Sequence, residues 1–591
     1  MINSLKSVLV FILVFSSFQL KAEEEYNWDS LNVADLKWDA EVGLWANYGH
    51  AVKEGEKDKA SVHNSRFTAG NLLLAGRLGL LSDPRVEQVL DTLESMQSDV
   101  TGCIKAHYED ENVTDSNFSF FVCRKLLLLK SCYSDQMTLQ ANKKLDQILD
   151  NFYSWFYGQS LEDSAYYPNK YLGDLVCVRL IQDISPKSKE EVVIINRRMM
   201  EASRYWKDHE WGWGEHMSNV YGGTCLDLLS QYLLFSKDKK SRVYKEYYSL
   251  LEELLNIEDL YDGGPKIPLI RSYSFVSRGT NENFRDSIKK WEPSMGTMSN
   301  NYWRAGALMS AIFYEYGWHE KIEPPRGKSS VKVQIPCFGG NVANSYLKDD
   351  IRIGSLTGFP VMPEAENLTW GLAWQSFPVC LWKPEGDWGF LQWQTVEDGV
   401  IHAHPTNSRT GPRALSRQMN PPIYGKTYAM QNDGDVLVIR IMPKIVKDWT
   451  MITDTFKIAD CTANIHVQED SEFGQILFEY PERTVSVCCV SLSNGNITPH
   501  LTKESNAHYW RMDYPEEDLA KIKTMEMVVD VWGISINGKI ENKPKVEFVD
   551  EYMLTPLLPS QQKKRLRWSW SETNWDVIID PTSDQPLKSA K

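Results

Sequence analysis

The residues best suited to chemistry lie close together in one segment. Residues 211–223 read Trp-Gly-Trp-Gly-Glu-His-Met-Ser-Asn-Val-Tyr-Gly-Gly. They bring together an imidazole (His216), an amide (Asn219) and a phenol (Tyr221), and the first two have the three-residue spacing of neighbours on one helical face. These groups can bind a carboxylate and transfer a proton. The alternative is structural, with the indoles packing the base of a fold and His216 satisfied in the core; we favour the catalytic interpretation.

The two indoles of this segment predict a sugar-binding surface. Trp211 and Trp213 are among 21 tryptophans and 27 tyrosines, and aromatic residues make up 12% of the chain. Flat aromatic rings stack on the C–H faces of sugars, although large cores also use them. We therefore predict that Trp211 and Trp213 bind a glycan.

A second cluster lies in the C-terminal half, where His402-Ala403-His404 precedes Asn407. Two histidines at i and i+2 on a strand lie on the same face, so both are candidate catalytic residues. A metal pair or a surface pair is the alternative, but no third ligand is adjacent in the sequence, and we predict no metal site. Basic side chains that would suit an acidic ligand follow at Arg409 and Arg413.

The first 320 or so residues must position the first cluster, and they read as helices. Apolar residues recur there at three- and four-residue intervals, with short polar connections. Five helices start with a similar phrase around an asparagine, at spacings of 53, 52, 50 and 81 residues: Asn64, Asn117, Asn169, Asn219 and Asn300. Each of the first three intervals fits one helical hairpin, so successive apolar helices begin on the same side, as in an (α/α) barrel. The alternative is that these asparagines only cap helices.

The shared rim of such a barrel predicts further substrate-binding residues. We expect Asn117 to bind substrate, together with Asn301 and Tyr302 at the start of the fifth helix. The long fourth interval contains an extra segment, residues 262–293, and loops of this length are usually functional. Its candidate substrate-binding residues are Arg271, Tyr273 and Arg278.

The chain divides into a helical half and a β half. Residues 1–22 have the basic start, short apolar run and small residues of a cleaved signal peptide, which predicts a secreted or periplasmic protein. Residues 23–322 are predicted to form an (α/α) toroid, an incomplete barrel that carries the active site. The Pro-rich segment 323–330 is a predicted linker, because it cannot continue a helix. Alternating runs and Asn-Gly turns predict an antiparallel β-sandwich over 331–578, followed by a flexible tail over 579–591.

The composition argues against several functions. The formal net charge is −15, so bulk charge does not favour binding to nucleic acid or to an anionic membrane. No stretch after the predicted signal is long and apolar enough to span a bilayer. The ten cysteines show no metal-ligand spacing and read mainly as small core residues. The oligomeric state does not follow from the sequence.

The order of helical toroid, Pro-rich linker and β-sandwich resembles polysaccharide lyases with an (α/α) toroid, including heparinase II/III-like, glucuronan and ulvan lyases. Three phrases carry the likeness. Asp115-Ser116-Asn117-Phe118 and the run from Glu215 to Tyr221 are similar to helix starts of that group. His402-Ala403-His404, followed by Asn407, is similar to a phrase in the sandwich of heparinase-like members.

The resemblance implies β-elimination on a uronate. Such a lyase removes the C5 proton, which is α to a carboxylate, and stabilises the developing enolate with nearby donors. Those donors would be Asn117, Asn219 and one of Arg271 and Arg278. The base and the acid would come from Tyr221, His216, and His402 or His404, with no metal or organic cofactor. The expected substrate is an acidic polysaccharide or oligosaccharide containing glucuronate or iduronate, such as ulvan or glucuronan. Alginate and glycosaminoglycans are alternative substrates. The sequence does not distinguish endo from exo cleavage.

Three alternatives remain at the level of the sequence. A dehydratase would use the same chemistry to eliminate water from a terminal uronate. A glycoside hydrolase would need two carboxylates across the cleft, for which Glu215 with Glu292 or with Asp115 could serve. A non-catalytic glycan-binding protein would explain the aromatic residues equally well.

Overall fold

The structure is a computed structural model of the 591-residue chain. The residues that it describes are 26–32, 36–47, 62–113, 115–261, 265–270, 284, 301–322, 331–359, 377–383, 388–397, 400–404, 426–443, 450–459, 465–470, 473–492, 497–504, 507–519, 527–549, 562–570, 572–581, 583 and 587–589. The predicted signal peptide and the predicted linker lie outside these residues.

The described part of the N-terminal half is mainly helical. Two short strands, β1 (Leu36–Asp39) and β2 (Leu44–Asn47), come first. The α-helices follow in this order: α1 (Ser65–Arg77), α2 (Arg85–Ser95), α3 (Asn117–Tyr133), α4 (Leu139–Leu161), α5 (Pro168–Ile184), α6 (Lys189–Asp208), α7 (Asn219–Phe235), α8 (Arg242–Leu260), α9 (Asn301–Glu315) and α10 (Trp318–Lys321).

Five of these helices form a closed ring. Helices α1, α3, α5 and α7 each pack against the next, and α9 contacts both α7 and α1. At the seam, Arg77 of α1 pairs with Glu315 of α9 at 2.6 Å. Helices α2, α4, α6 and α8 contact one another in series as a second layer. The predicted (α/α) toroid is therefore confirmed, with five inner helices among those that the structure describes.

The burial pattern separates the two layers. Residues 171–182 of the inner helix α5 are buried without interruption, as expected for a helix surrounded by protein. On the outer helix α6 the buried residues form one stripe at three- and four-residue spacing, which includes Ile195, Met199 and Trp206. This helix begins with a capping box, in which Ser188 and Glu191 satisfy each other's backbone N–H groups.

A small β-hairpin precedes the helical ring in the chain, and the sequence did not predict it. Strands β1 and β2 pair antiparallel, and Trp45 of β2 stacks on Trp28 at 5.1 Å between ring centroids. His63 ties the hairpin to the ring, because its Nδ1 lies 2.7 Å from Glu109 Oε1 and its Nε2 lies 3.2 Å from Asp39 Oδ2. Burial lowers the pKa of His63, but these two carboxylates raise it more, and the net shift is upward.

The C-terminal half consists of antiparallel sheets, as predicted. The larger sheet has nine strands, in the order β16 (His500–Glu504), β17 (Ala507–Pro515), β12 (Met451–Ala459), β8 (Trp388–Glu397), β7 (Val379–Trp382), β5 (Arg352–Leu356), β4 (Asn341–Leu347) and β3 (Lys332–Cys337), with β9 (Val400–His404) also paired to β8. The second sheet has seven strands, in the order β13 (His466–Asp470), β14 (Gln475–Glu479), β15 (Thr484–Ser491), β18 (Met527–Ser535), β11 (Asp435–Pro443), β10 (Lys426–Asn432) and β6 (Gly358–Phe359).

A third sheet adds a layer that the prediction of a simple sandwich did not include. It contains β19 (Lys545–Phe548), β20 (Lys564–Trp570), β21 (Thr573–Ile579) and β22 (Leu587–Ser589). Along β11, Val436 and Val438 join the main core, whereas Leu437 and Ile439 pack with Trp568 and its neighbours of the third sheet. Because successive side chains alternate between faces, the seven-stranded sheet is covered on both sides, and residues 436–439 of β11 are all apolar.

The end of the chain differs from the prediction. Residues 579–591 were expected to form a flexible tail, but Leu587–Ser589 pairs with Val577–Ile579 as β22. This strand covers the outer edge of β21, whose backbone groups would otherwise lack ladder partners. Within the described residues, none of the helices has the length and apolar character needed to cross a membrane.

Candidate functional site

The start of α7 is held between the helical ring and the nine-stranded sheet. Residues 265–270, the bridging segment, lie between the two. On the helical side, Ile270 N donates to Met217 O at 3.3 Å, and on the sheet side Phe377 N donates to Leu269 O at 3.1 Å. The hydroxyl of Ser345, on β4, donates to Ile267 O. The first predicted cluster therefore lies at the junction of the two halves of the protein.

The loop before α7 adopts an unusual backbone conformation. Glu210 and Trp211 have φ angles of 43° and 58°, and Gly212 follows at 53°. Non-glycine residues with positive φ are strained, and such strain persists only where the surroundings impose it. Here Trp211 is clamped, because its ring stacks on Trp206 at 5.5 Å and its Nε1 donates to Glu253 Oε1 at 2.9 Å.

The two indoles predicted to bind sugar lie inside the protein. Trp211 is 1% exposed and Trp213 is 4% exposed. The ring of Trp213 packs on Tyr167 and Tyr166, with centroid distances of 4.1 Å and 5.4 Å. Both indoles are therefore packed inside the protein, which is the arrangement expected from the structural alternative.

Glu215 is bound to the neighbouring inner helix. It is fully buried, and its two oxygens accept hydrogen bonds from the backbone N–H and the side-chain Nδ2 of Asn169 at the start of α5. A carboxylate at the N-terminal end of a helix is stabilised by the unpaired N–H groups there. The contact also shows that α5 and α7 begin on the same rim, as the asparagine repeat predicted.

His216 connects the ring to the sandwich. Its side chain is buried, and its Nε2 lies 2.9 Å from the carbonyl oxygen of Pro336 on β3. Burial lowers the pKa of His216 to about 4, with nearby Lys266 adding to the effect. The imidazole is therefore neutral near pH 7, and its Nε2–H donates a hydrogen bond to the carbonyl oxygen of Pro336. Nδ1 has no hydrogen-bond partner among the described residues.

Asn219 and Tyr221 share the first turn of α7. The helix is capped by Ser218, whose side chain accepts from Tyr221 N at 3.2 Å. Asn219 is thus free of capping, and its Oδ1 accepts from the backbone N–H of Lys266 at 3.2 Å. Both Asn219 and Tyr221 are half-buried. The amide oxygen is engaged by the bridging segment, so the amide nitrogen is the group that can serve as a donor.

Lys266 supports this turn and was not singled out in the sequence. It is buried, and its Nζ pairs with Glu258 Oε1 of α8 at 2.5 Å. No sequence signal marks Lys266, because its role depends on the close approach of the bridging segment to α7. The repeat marks Asn169 only as a helix start, and its hydrogen bonds to Glu215 give it a role at the same rim.

Asn117 lies at the start of α3, on the rim predicted for it. It is half-buried, and its Oδ1 is buried without a partner among the described residues. Asn301 and Tyr302 are the first two described residues of α9. For these two residues the helix is described and the side chains are not.

The histidines of the second cluster lie on β9. His402 is paired with Thr395 of β8 and His404 with Trp393, so both occupy one face of the strand. Their side chains are not described, and Arg271, Tyr273, Arg278, Arg409 and Arg413 lie outside the described residues. In the part of the chain that the structure covers, no group of three or more His, Cys, Asp or Glu residues is arranged to hold a metal ion.

No protein-family model and no curated protein matches the chain. Among solved structures, a crystal structure of heparinase III aligns over 90% of this chain and 85% of its own, at 9% identity and a TM-score of 0.48. A heparinase III with methylated lysines aligns over 96% and 94%, at 8% identity and a TM-score of 0.44. A mutant heparan sulfate lyase from Pedobacter heparinus aligns over 88% and 82%, at 10% identity and a TM-score of 0.36. These names fall in the group that the sequence resembles, and the fold described above rests on this chain's own helices and sheets.

Proposed function

We propose that the protein is a lyase that cleaves a uronate-containing acidic glycan by β-elimination at the rim of the helical ring. The observation that carries this proposal is the first turn of α7. There the oxygen of Asn219 is bonded to Lys266 N at 3.2 Å, and Tyr221 lies two residues further along the same half-buried turn. An amide oriented in this way presents Nδ2 as a donor, which is what a uronate carboxylate requires.

The proposed reaction uses these two side chains in sequence. Asn219 Nδ2 donates to the uronate carboxylate and stabilises the negative charge that develops on it. Tyr221, acting as its phenolate, takes the C5 proton, the C5–H electrons form a C4–C5 double bond, and the C4–O bond breaks. The departing oxygen receives a proton from Tyr221 or from one of His402 and His404. The product is a 4,5-unsaturated uronate.

His216 acts as a positioning residue in this proposal. A buried, neutral ring that donates to Pro336 O does not face the substrate. The hydrogen bond to Pro336 holds His216, three residues before Asn219, against β3. It therefore fixes the start of α7 relative to the sandwich.

We infer that the substrate is a glucuronate- or iduronate-containing polysaccharide or oligosaccharide of the ulvan or glucuronan kind, met outside the cytoplasm. Cationic side chains inside the ring support an acidic substrate in spite of the acidic chain as a whole. The guanidinium groups of Arg66 and Arg124 both lie over the aromatic side chain of Phe121. The ammonium group of Lys125 donates to the backbone oxygen of Arg66.

A hydrolase that uses Glu215 receives less support. Both oxygens of this carboxylate accept hydrogen bonds from Asn169, and the side chain is fully buried. A glycosidase needs a carboxyl group that reaches the scissile bond, and this one is committed to the start of α5.

The test is ultraviolet absorbance of the purified protein incubated with a panel of uronate polysaccharides and oligosaccharides in the presence of EDTA. A rising conjugated-alkene signal supports elimination and identifies the glycan. New reducing ends without that signal would replace elimination by hydrolysis. Eliminated water without shortening of the glycan, detected by mass, would identify the dehydratase variant of the same chemistry.

A further inference from the structure

Burial increases along the inner helices α3 and α7 from the rim inwards, and the interior of the ring between the rim and Arg124 is called the funnel. Along α7 the half-buried residues Val220, Thr224 and Asp227 recur at intervals of one turn, and the residues from Leu228 to Leu234 are all buried. Helix α3 shows the same change, with half-buried Phe121 followed by eight buried residues. On these two helices the half-buried positions therefore lie towards the rim, and the positions directly below them are buried.

Arg124 of α3 lies at the floor of this funnel. Seven residues below Asn117, it is about 10 Å from the rim along the helix axis. Its Nη2 lies 3.4 Å from Asp227 Oδ2 on α7. Helices α3 and α7 are separated in the ring by α5, so this contact crosses the interior. Gln231 of α7 also reaches across, and its Nε2 donates to Arg124 O at 2.8 Å.

The guanidinium of Arg124 has donors without acceptors. The residue is 5% exposed, and its Nε and Nη1 atoms are buried with no hydrogen-bond partner among the described residues. A buried guanidinium normally uses its N–H groups on carboxylates, carbonyls or bound anions. The single contact to Asp227, at 3.4 Å, leaves most of that capacity unused.

Two further basic residues, Arg66 and Lys125, lie close to this position. Lys125 is 1% exposed and donates from Nζ to the backbone oxygen of Arg66 at 2.6 Å. The guanidinium carbons of Arg66 and Arg124 lie 4.0 Å and 5.7 Å from the ring centre of Phe121. Burial, and then the charges of Arg66 and Arg124, lower the pKa of Lys125 well below its usual range. An anion at this site would be attracted by the guanidinium of Arg124 and would favour the charged form of Lys125.

We propose that the floor of the funnel is an anion subsite, in which Arg124 binds an acidic substituent, a carboxylate or a sulfate ester, of a sugar unit inserted from the rim. This inference rests on the proposed function for the identity of the ligand as a glycan. It adds a second point of recognition, separate from the carboxylate at Asn219. Since the residues that follow Arg124 on α3 and Asp227 on α7 are buried, the bound unit is a chain end or a side substituent, and not the middle of a chain that passes through.

The experiment is calorimetric titration of the full-length protein with inorganic sulfate and, in a second series, with glucuronate monosaccharide. The wild type is expected to bind at least one of them saturably. Arg124→Gln should weaken that binding at least tenfold, which equals about 1.4 kcal/mol, and Arg124→Lys should fall between the two because the forked geometry is lost. Sulfate binding alone would identify a sulfate ester, and glucuronate binding alone a carboxylate.

Two further variants keep the test decisive if Arg124→Gln folds poorly. Asp227→Asn removes the carboxylate that contacts Arg124 among the described residues, and it should bind the anion more tightly than the wild type. Arg198→Gln removes the same charge from a helix of the outer layer, where Arg198 pairs with Glu201 at 3.1 Å, and it should bind like the wild type. Equal affinities across all four variants and the wild type, or no binding of either anion to the wild type, would overturn the subsite.

The titration needs no turnover, so its outcome is independent of the proposed reaction. Anion binding that depends on Arg124, without any unsaturated product from the glycan panel, would leave the subsite standing and reject the lyase. Where a glycan does react, Arg124→Gln should raise KM with little change in kcat, because the subsite binds substrate and transition state alike.

Discussion

His216 Nε2 donates a 2.9 Å hydrogen bond to the carbonyl of Pro336 and so joins the start of α7 to the first strand of the sandwich. The donor must be the neutral imidazole, since burial lowers the pKa of His216 to about 4. Asn219 follows three residues later and is itself held by Lys266 of the bridging segment. The geometry of the proposed site therefore depends on contacts between the two halves of the chain.

Acid should destabilise the protein through His216. The unfolded imidazole takes up a proton below about pH 6.5, whereas the folded one does so only near pH 4. Between these values the unfolded state binds more protons, so this contribution to stability is present above pH 6.5 and is lost as pH falls towards 4, by up to about 3 kcal/mol. Urea unfolding of the wild type and of His216→Gln at pH 7, 5.5 and 4 measures it.

The glutamine variant is the control for other titrating groups, because it keeps a donor for Pro336 and cannot titrate. The stability of the wild type relative to His216→Gln should fall across this range. A difference that stays constant from pH 7 to pH 4 would show that His216 is not buried in its neutral form.

Asn219→Ala should lower kcat/KM more than tenfold, or by about 1.4 kcal/mol of barrier, because the carboxylate of the substrate loses a donor. Asn219→Asp should be worse at neutral pH, since it places a negative charge beside that carboxylate. The readout is the rate of unsaturated product on the glycan identified by the panel. If both variants were as active as the wild type, Asn219 would not contact the carboxylate of the substrate.

Tyr221→Phe should reduce kcat by about 100-fold or more, the usual contribution of a positioned acid or base. Because the backbone N–H of residue 221 still reaches Ser218 Oγ, the helix start should be preserved. Circular dichroism and the urea midpoint should therefore match the wild type. Near-normal turnover in this variant would remove Tyr221 from the mechanism and direct attention to His402 and His404.

Gly354→Ala should damage both stability and activity. A Cβ at position 354 on β5 would lie 2.5 Å from the backbone nitrogen of Pro268 in the bridging segment, and backbone atoms there cannot move without shifting Lys266. We expect a loss of about 1–3 kcal/mol in the free energy of unfolding, together with lower turnover.

Gly223→Ala is the matched control for that variant. A Cβ at position 223 on α7 meets nothing within 4 Å, and alanine favours a helix by up to about 1 kcal/mol over glycine. This variant should be as stable as the wild type or more so. If both alanine variants behave alike, the contact between β5 and the bridging segment is not as close as described.

The rim of the ring could be predicted from the sequence because it depends on local signals. The repeated phrases around Asn117, Asn169 and Asn219 lie at the starts of α3, α5 and α7. The capping role did not follow as simply. Asn64 caps α1, with its Oδ1 accepting from Arg66 N and Phe67 N, whereas a serine precedes Asn219 and caps α7 instead. Asn219 is thereby released for contacts that no local pattern reveals.

The charged floor of the funnel could not be predicted in the same way. In the sequence Arg124 and Lys125 look like the polar side of an amphipathic helix, which normally faces water. That side faces inward because Arg124 meets Asp227 of α7 and Lys125 meets Arg66 of α1. The buried positions of Trp211 and Trp213 have a similar origin, since they depend on left-handed backbone at residues 210–212 and on packing against Trp206 and Tyr167.

Because α9 closes the ring, the ring cannot be completed until late in the synthesis of the chain. Helix α1 begins at Ser65, and its partner across the seam begins at Asn301. At ordinary translation rates, on the order of ten to fifty seconds separate their emergence from the ribosome. Until then the side of α1 that α9 will cover has no neighbour from this chain's own ring. The nascent protein therefore leaves one side of α1 uncovered until α9 docks, and substitutions that slow the docking of α9 should lower the yield of folded protein before they affect its final stability.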